Sequence, residues 1–100
     1  MNERNVLEVL ACDFRARPRG AASVVDVAPA VRSLRREPGT LVIEFAAEAA
    51  LSVAEFVAAE RLCCREIGWE LSEAPAPTLR IRATPAQLDL LQQILIAPAG

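Results

Sequence analysis

Two adjacent cysteines, Cys63 and Cys64, follow Glu60 by three and four residues, and a third cysteine stands at Cys12. On a helix, positions three and four apart share a face, so a carboxylate one turn ahead of two thiols directs three donor groups to one region. Thiolates select soft ions such as mercury(II), copper(I), arsenic(III) and zinc. Two sulfurs make a linear site and three a trigonal one. Structural zinc takes four N or S ligands, and the chain has no histidine, so zinc requires Glu60 to complete a set with Cys12, Cys63 and Cys64.

Each of these residues also has an ordinary reading. Free cysteine is among the most buried residue types and packs as a small hydrophobe. Glu60 falls in the middle of the apolar arc formed by Val53, Phe56, Val57, Cys63, Cys64 and Ile67 at 100° per residue. A carboxylate there must be paired, used or left at an edge where it meets water. Arg80 and Arg82 are the expected ion-pair partners. On a regular helix the two cysteine side chains diverge by about 100°, so only a distorted last turn lets both face one point. A disulfide between neighbours closes a strained eight-membered ring, which makes it labile and redox-active rather than structural.

Composition narrows the remaining chemistry. The chain has no histidine, tyrosine or lysine, which removes a Cys–His nucleophile, a Schiff base and a phosphate-binding P-loop lysine. All eleven cations are arginines, with Arg15, Arg17, Arg19, Arg32, Arg35 and Arg36 toward the N-terminus. The four aromatic residues do not interleave with them as single-strand nucleic-acid binders require, so a solvated basic loop is the expectation and nucleic acid is not. Three cysteines are an odd number, no apolar run is long enough to span a bilayer, and Met1-Asn2-Glu3-Arg4 lacks the layout of a secretory signal. Together these point to a cytoplasmic protein with free thiols and no membrane partner.

The elements that would position the site follow from periodicity. A length of 100 residues and an apolar content of 53% suit one domain with its own core. Residues 5 to 12 are too short an apolar run to separate strand from helix. Residues 1 to 30 read as an irregular N-terminal segment with a weak helix start at Ser23-Val24-Val25-Asp26. Val31 to Glu37 and Thr40 to Ala46 flank Pro38-Gly39 as a hairpin. Ser52-Val53-Ala54-Glu55 has the form of a capping box opening a helix from Val53 to Ile67, with Gly68 as its stop. Trp69 to Glu73 and Thr78 to Ala83 form a second hairpin. Thr84-Pro85-Ala86-Gln87 opens a second helix bearing Leu88, Leu91 and Leu95 on one face. The resulting fold class is α+β, a doubled ββα unit over residues 31 to 100 with a four-stranded antiparallel sheet and two helices on one face. Leu90 and Ile94 fall off the main stripe of the last helix, which fits either a wide core contact or a dimer surface, and the open sheet face favours a homodimer.

The stretch from Ala59 through Glu60-Arg61-Leu62-Cys63-Cys64-Arg65-Glu66-Ile67-Gly68-Trp69-Glu70-Leu71, with Leu79-Arg80-Ile81 and Ala83-Thr84-Pro85-Ala86 after it, resembles a group of small uncharacterised bacterial proteins. Their pattern is E-x-x-C-C-P-F-x-x-F-x-L, followed by a strand and a Gly-Pro helix start. Ala11-Cys12-Asp13 resembles their N-terminal A-C-D. The resemblance implies that Cys12, Glu60, Cys63 and Cys64 form a common set, with Trp69 in an aromatic position. Some members accompany heavy-metal-responsive regulators, which implies metal or metalloid handling. Arg65-Glu66 here replaces the Pro-Phe of that group, so the helix need not stop after the cysteines.

Three functions compete on these grounds. The leading one is a binding protein for a soft metal or metalloid, or a thiol redox site, at Cys63, Cys64, Cys12 and Glu60. A small thiol enzyme acting on organomercurials or peroxides would use the same atoms, but so short a chain shows no evident substrate pocket, which places binding ahead of catalysis. The third is a dimerising or protein-interaction module with inert, buried cysteines.

Overall fold

The computed structural model describes residues 18, 20–73 and 75–96. The apolar stretch 5 to 12 and Ala11-Cys12-Asp13 lie outside them. A one-turn helix α1 (Val24–Val27) and a 3-10 turn (Ala28–Ala30) lead into β1 (Val31–Glu37) and β2 (Thr40–Phe45). A second 3-10 turn (Ala47–Ala49) enters α2 (Ala50–Cys63). The chain then forms β3 (Gly68–Ser72), β4 (Thr78–Arg82) and α3 (Pro85–Ile96). The strands make one antiparallel sheet in the order β1-β2-β4-β3. The expected α+β, doubled ββα architecture is therefore the observed one, with the second strand of each hairpin at the centre.

Alternation along the strands sorts the two faces of the sheet. Leu41, Ile43, Phe45, Trp69, Leu79 and Ile81 are buried in the cluster that also holds Val53, Phe56 and Val57 of α2 and Leu88, Leu91 and Leu95 of α3. Both helices thus cover one face, as period-two strands over amphipathic helices require. The opposite face carries charge. Arg35 and Arg80 flank Val42 in register, both contact Glu37, and Arg82 pairs with Glu70 at 2.7 Å. The Arg35 hydrogen bond holds the Glu37 carboxylate below its ordinary range; desolvation opposes it, and the charges of Arg35 and Arg80 add smaller lowering effects. Polar pairing of this kind keeps an uncovered sheet face in water.

The local signals have mixed outcomes. Gly39 adopts φ +70° between β1 and β2, a conformation that costs a side-chain-bearing residue energy. At α1 the Ser23 N–H donates to Asp26 Oδ2 at 2.7 Å. At α3 the box is reciprocal: Thr84 N–H donates to Gln87 Oε1 at 3.0 Å, and Gln87 N–H to Thr84 Oγ1 at 3.2 Å. The box expected at Ser52 does not form. Helix α2 begins three residues earlier, at Ala50 and not Val53, because the preceding 3-10 turn, closed by Ala49 N–H to Ala46 O at 3.0 Å, passes directly into it. The Glu55 carboxylate instead accepts the Ala22 N–H at 2.8 Å and ties the N-terminal segment to α2.

Two further expectations are corrected. Helix α2 stops at Cys63 and not at Ile67, and Gly68 opens β3 opposite Arg82. A side chain at Gly68 would sit 3.4 Å from Arg82 Cβ, so this glycine serves a close strand approach and not a helix stop. Leu90 is buried in the core and Ile94 packs against it, so a wide core contact accounts for both.

The two serine/threonine signals make a paired test. Thr84→Ala is expected to lower stability by about 1 kcal/mol, the usual effect of losing an N-cap. Ser52→Ala is expected to be neutral or stabilising by a few tenths of a kcal/mol, since it only improves helix propensity at an exposed position. Urea denaturation of the two variants measures both.

Candidate functional site

Chain direction at the end of α2 builds the site. Ile67 and Trp69 are both core residues, and a helix carried on to Ile67 would leave no room for the turn that brings Trp69 into β3. The break falls at Cys64, whose φ of −114° and ψ of 67° lie outside the helical region. Its N–H still closes the last helical turn on Glu60 O at 2.6 Å.

Its carbonyl is turned away from the helix and accepts twice, from Ile67 N–H at 3.2 Å and from the Trp69 indole Nε1–H at 3.1 Å. These bonds use both lone pairs of a carbonyl that the helix end leaves unsatisfied. Arg61 secures the other side, donating from Nη2 and Nε to the Trp69 carbonyl at 2.9 and 3.3 Å. The Trp69 ring meets Phe56 edge-on at a centroid distance of 6.2 Å.

The break resolves the angular problem posed by adjacent cysteines. With Cys64 rotated out of the helix, Cys63 Sγ, Cys64 Sγ and a Glu60 carboxylate oxygen all lie within 4.8 Å of one another. Ligands at ~2.3 Å from an ion stand at most ~4.6 Å apart, so the spacing is that of groups able to share one. Cys64 Sγ lies 3.3 Å from Glu60 Oε2. Cys63 is 5% exposed and Cys64 0%, whereas Glu60 is half-buried. The carboxylate therefore sits at the rim of the apolar arc, with access to water, and not in its middle. Arg80 and Arg82, its expected partners, are on the opposite face of the sheet with Glu37 and Glu70.

The expectation that the cysteines are thiols is corrected at Cys64, which is disulfide-bonded. Cys63 takes no part in a disulfide, so the bridge does not join the two neighbours, in keeping with the strain of such a ring. Cys12 lies outside the described residues. In the bridged state Cys64 Sγ has no proton to donate, so its approach to Glu60 becomes a thiol–carboxylate hydrogen bond only on reduction.

A groove of about 230 Å³ on the other side of α2 is lined by Pro18, Gly20, Ala21, Glu55, Ala58, Ala59 and Leu62. None of Glu60, Cys63 and Cys64 borders it. Among the described residues, no helix is long and apolar enough to cross a membrane. No protein family model, no curated protein and no solved structure matches this chain.

Sequence reasoning singled out Glu60 and the cysteine doublet but missed the parts that hold them. Trp69 figured only as an aromatic, and Arg61 only as a position in the stretch that carries the resemblance. Their hydrogen bonds to backbone carbonyls leave no periodic trace, and a buried tryptophan's need for an N–H partner was the available signal. Trp69→Phe keeps the ring but loses the bond to the Cys64 carbonyl, and is expected to cost about 1 kcal/mol. Trp69→Ala is expected to cost ~3–5 kcal/mol through the cavity it leaves. In native protein, Trp69→Phe should also label faster than wild type at Cys63, as followed by mass spectrometry with a thiol reagent.

Proposed function

We propose that this protein, with its thiols reduced, binds a soft metal or metalloid ion through Cys63 and Cys64, with Glu60 as an oxygen donor. The observation that carries the reading is the convergence of two buried sulfurs and a half-buried carboxylate within 4.8 Å. Two thiolates and one oxygen suit ions of low coordination number, copper(I), mercury(II) and arsenic(III), better than zinc, which takes four ligands. Burial adds selectivity, because a sulfur-lined recess closed to water disfavours strongly hydrated hard cations. The half-buried position of Glu60 supports a role at the mouth of the site, where a carboxylate can meet both an arriving ion and the thiol protons that binding releases. The likeness to small bacterial proteins that accompany metal-responsive regulators belongs to this proposal and supports the same class of ligand.

Burial of both cysteines equally supports the reading in which they are core filler, and one experiment separates the two. Reduced protein is titrated with copper(I), mercury(II) and arsenite while thiolate-to-metal absorption is followed in the near ultraviolet. One ion per chain is expected. Cys63→Ser and Cys64→Ser are each expected to weaken binding at least a hundredfold, and Glu60→Gln about tenfold. Wild-type behaviour in all three variants, with stability lost only in the cysteine ones, assigns the cysteines to packing.

A further inference from the structure

We propose that the outward face of α2 is a homodimer interface, where the helix packs antiparallel against the same helix of a second copy. A single exposed leucine needs no explanation. Here Leu51 is 88% exposed and Leu62 50%, and they stand about three turns apart on one face of the helix. Glu55 and Ala58, also exposed, lie between them. Among the described residues the large exposed hydrophobics are Val25, Leu51 and Leu62, so two of them share this stripe.

A two-fold contact uses the same patch on both copies, so the patch must complement itself. This stripe does. Setting Leu51 against Leu62 of the second copy fixes an antiparallel register in which Ser52 faces Arg61 and Glu55 faces Ala58. Glu55, held by the Ala22 N–H, thus meets a small side chain and not its own counterpart, and Ala58 lets the two helices approach closely. The groove of about 230 Å³ bordered by Ala58 and Leu62 lies where the second copy's Leu51 arrives, and receives it. Beyond the helical overlap the same register brings Glu48, in the turn before α2, toward Arg65, in the turn after it. Neither is ion-paired among the described residues, and the symmetry forms the pair twice. Other surfaces fail the same test. The edge strands of the sheet are β1 and β3. Self-pairing of β1 centred on Leu34 sets Arg32 against Arg36, and self-pairing of β3 centred on Glu70 sets that carboxylate against its own copy, both unfavourable like-charge contacts. The charged sheet face satisfies its ion pairs within one chain. None of Glu60, Cys63 and Cys64 borders the groove, so the contact is independent of ion binding.

Sedimentation equilibrium of the whole chain over a range of concentrations is expected to show a reversible monomer–dimer equilibrium, with a single chain on denaturing electrophoresis without reductant. Leu51→Glu places two carboxylates in the apolar contact and is expected to weaken the dimer about a hundredfold. Glu48→Arg and Arg65→Glu are each expected to weaken it roughly tenfold by opposing like charges, and the double variant to restore it. All three positions are exposed, so the far-ultraviolet circular dichroism of each variant is expected to match wild type. If Leu51→Glu alters the fold, loss and recovery across the charge-reversal series decides the question. A wild-type chain that stays monomeric at every soluble concentration overturns the proposal, and so does a dimer held only by a disulfide. A reversible dimer that Leu51→Glu and both charge reversals leave unmoved uses another surface and overturns it equally.

Discussion

The arrangement around the cysteines depends on one backbone carbonyl. At Cys64 the chain must leave a helix and enter a strand within four residues, and the carbonyl exposed by that change accepts from both Ile67 and Trp69. An unsatisfied carbonyl in so buried a place would cost ~1–3 kcal/mol, enough to favour another way of ending the helix. With both acceptor positions filled the break is stable, and the side chain of Cys64 turns toward those of Cys63 and Glu60. Sulfur convergence is thus a consequence of how the helix ends and not of helical periodicity.

This explains which parts of the molecule could be read in the sequence. Strand alternation in Leu41, Ile43 and Phe45, the turn at Pro38-Gly39 and the box at Thr84-Gln87 are local patterns whose partners lie a few residues away, and the structure uses them as written. The ends of α2 were misread because nonlocal contacts decide them. Ser52 and Glu55 have capping-box spacing, but the alanine-rich run from Ala46 to Ala50 turns helical before Ser52 is reached, and Glu55 binds Ala22, 33 residues away in sequence. Gly68 resembles a helix stop, but the strand pair with Arg82 claims it. Spacing alone revealed Glu60 and the doublet; their convergence required the backbone angles of Cys64, which no periodicity encodes.

Charge and burial divide the molecule in a way that isolates the site. The arginines of the uncovered sheet face are matched by Glu37 and Glu70, so Arg80 and Arg82 do not compete for Glu60. Arg61 is directed at the Trp69 carbonyl.

The doubled topology adds a last consideration. Each half is a hairpin followed by a helix, and the halves meet across β2 and β4; among the described residues, α2 alone is followed by another strand. The α2–β3 connection is therefore the one covalent joint between the repeats, and the Glu60-Cys63-Cys64 cluster sits on it. In the second half the corresponding position is the end of α3 at residue 96, where the described residues stop.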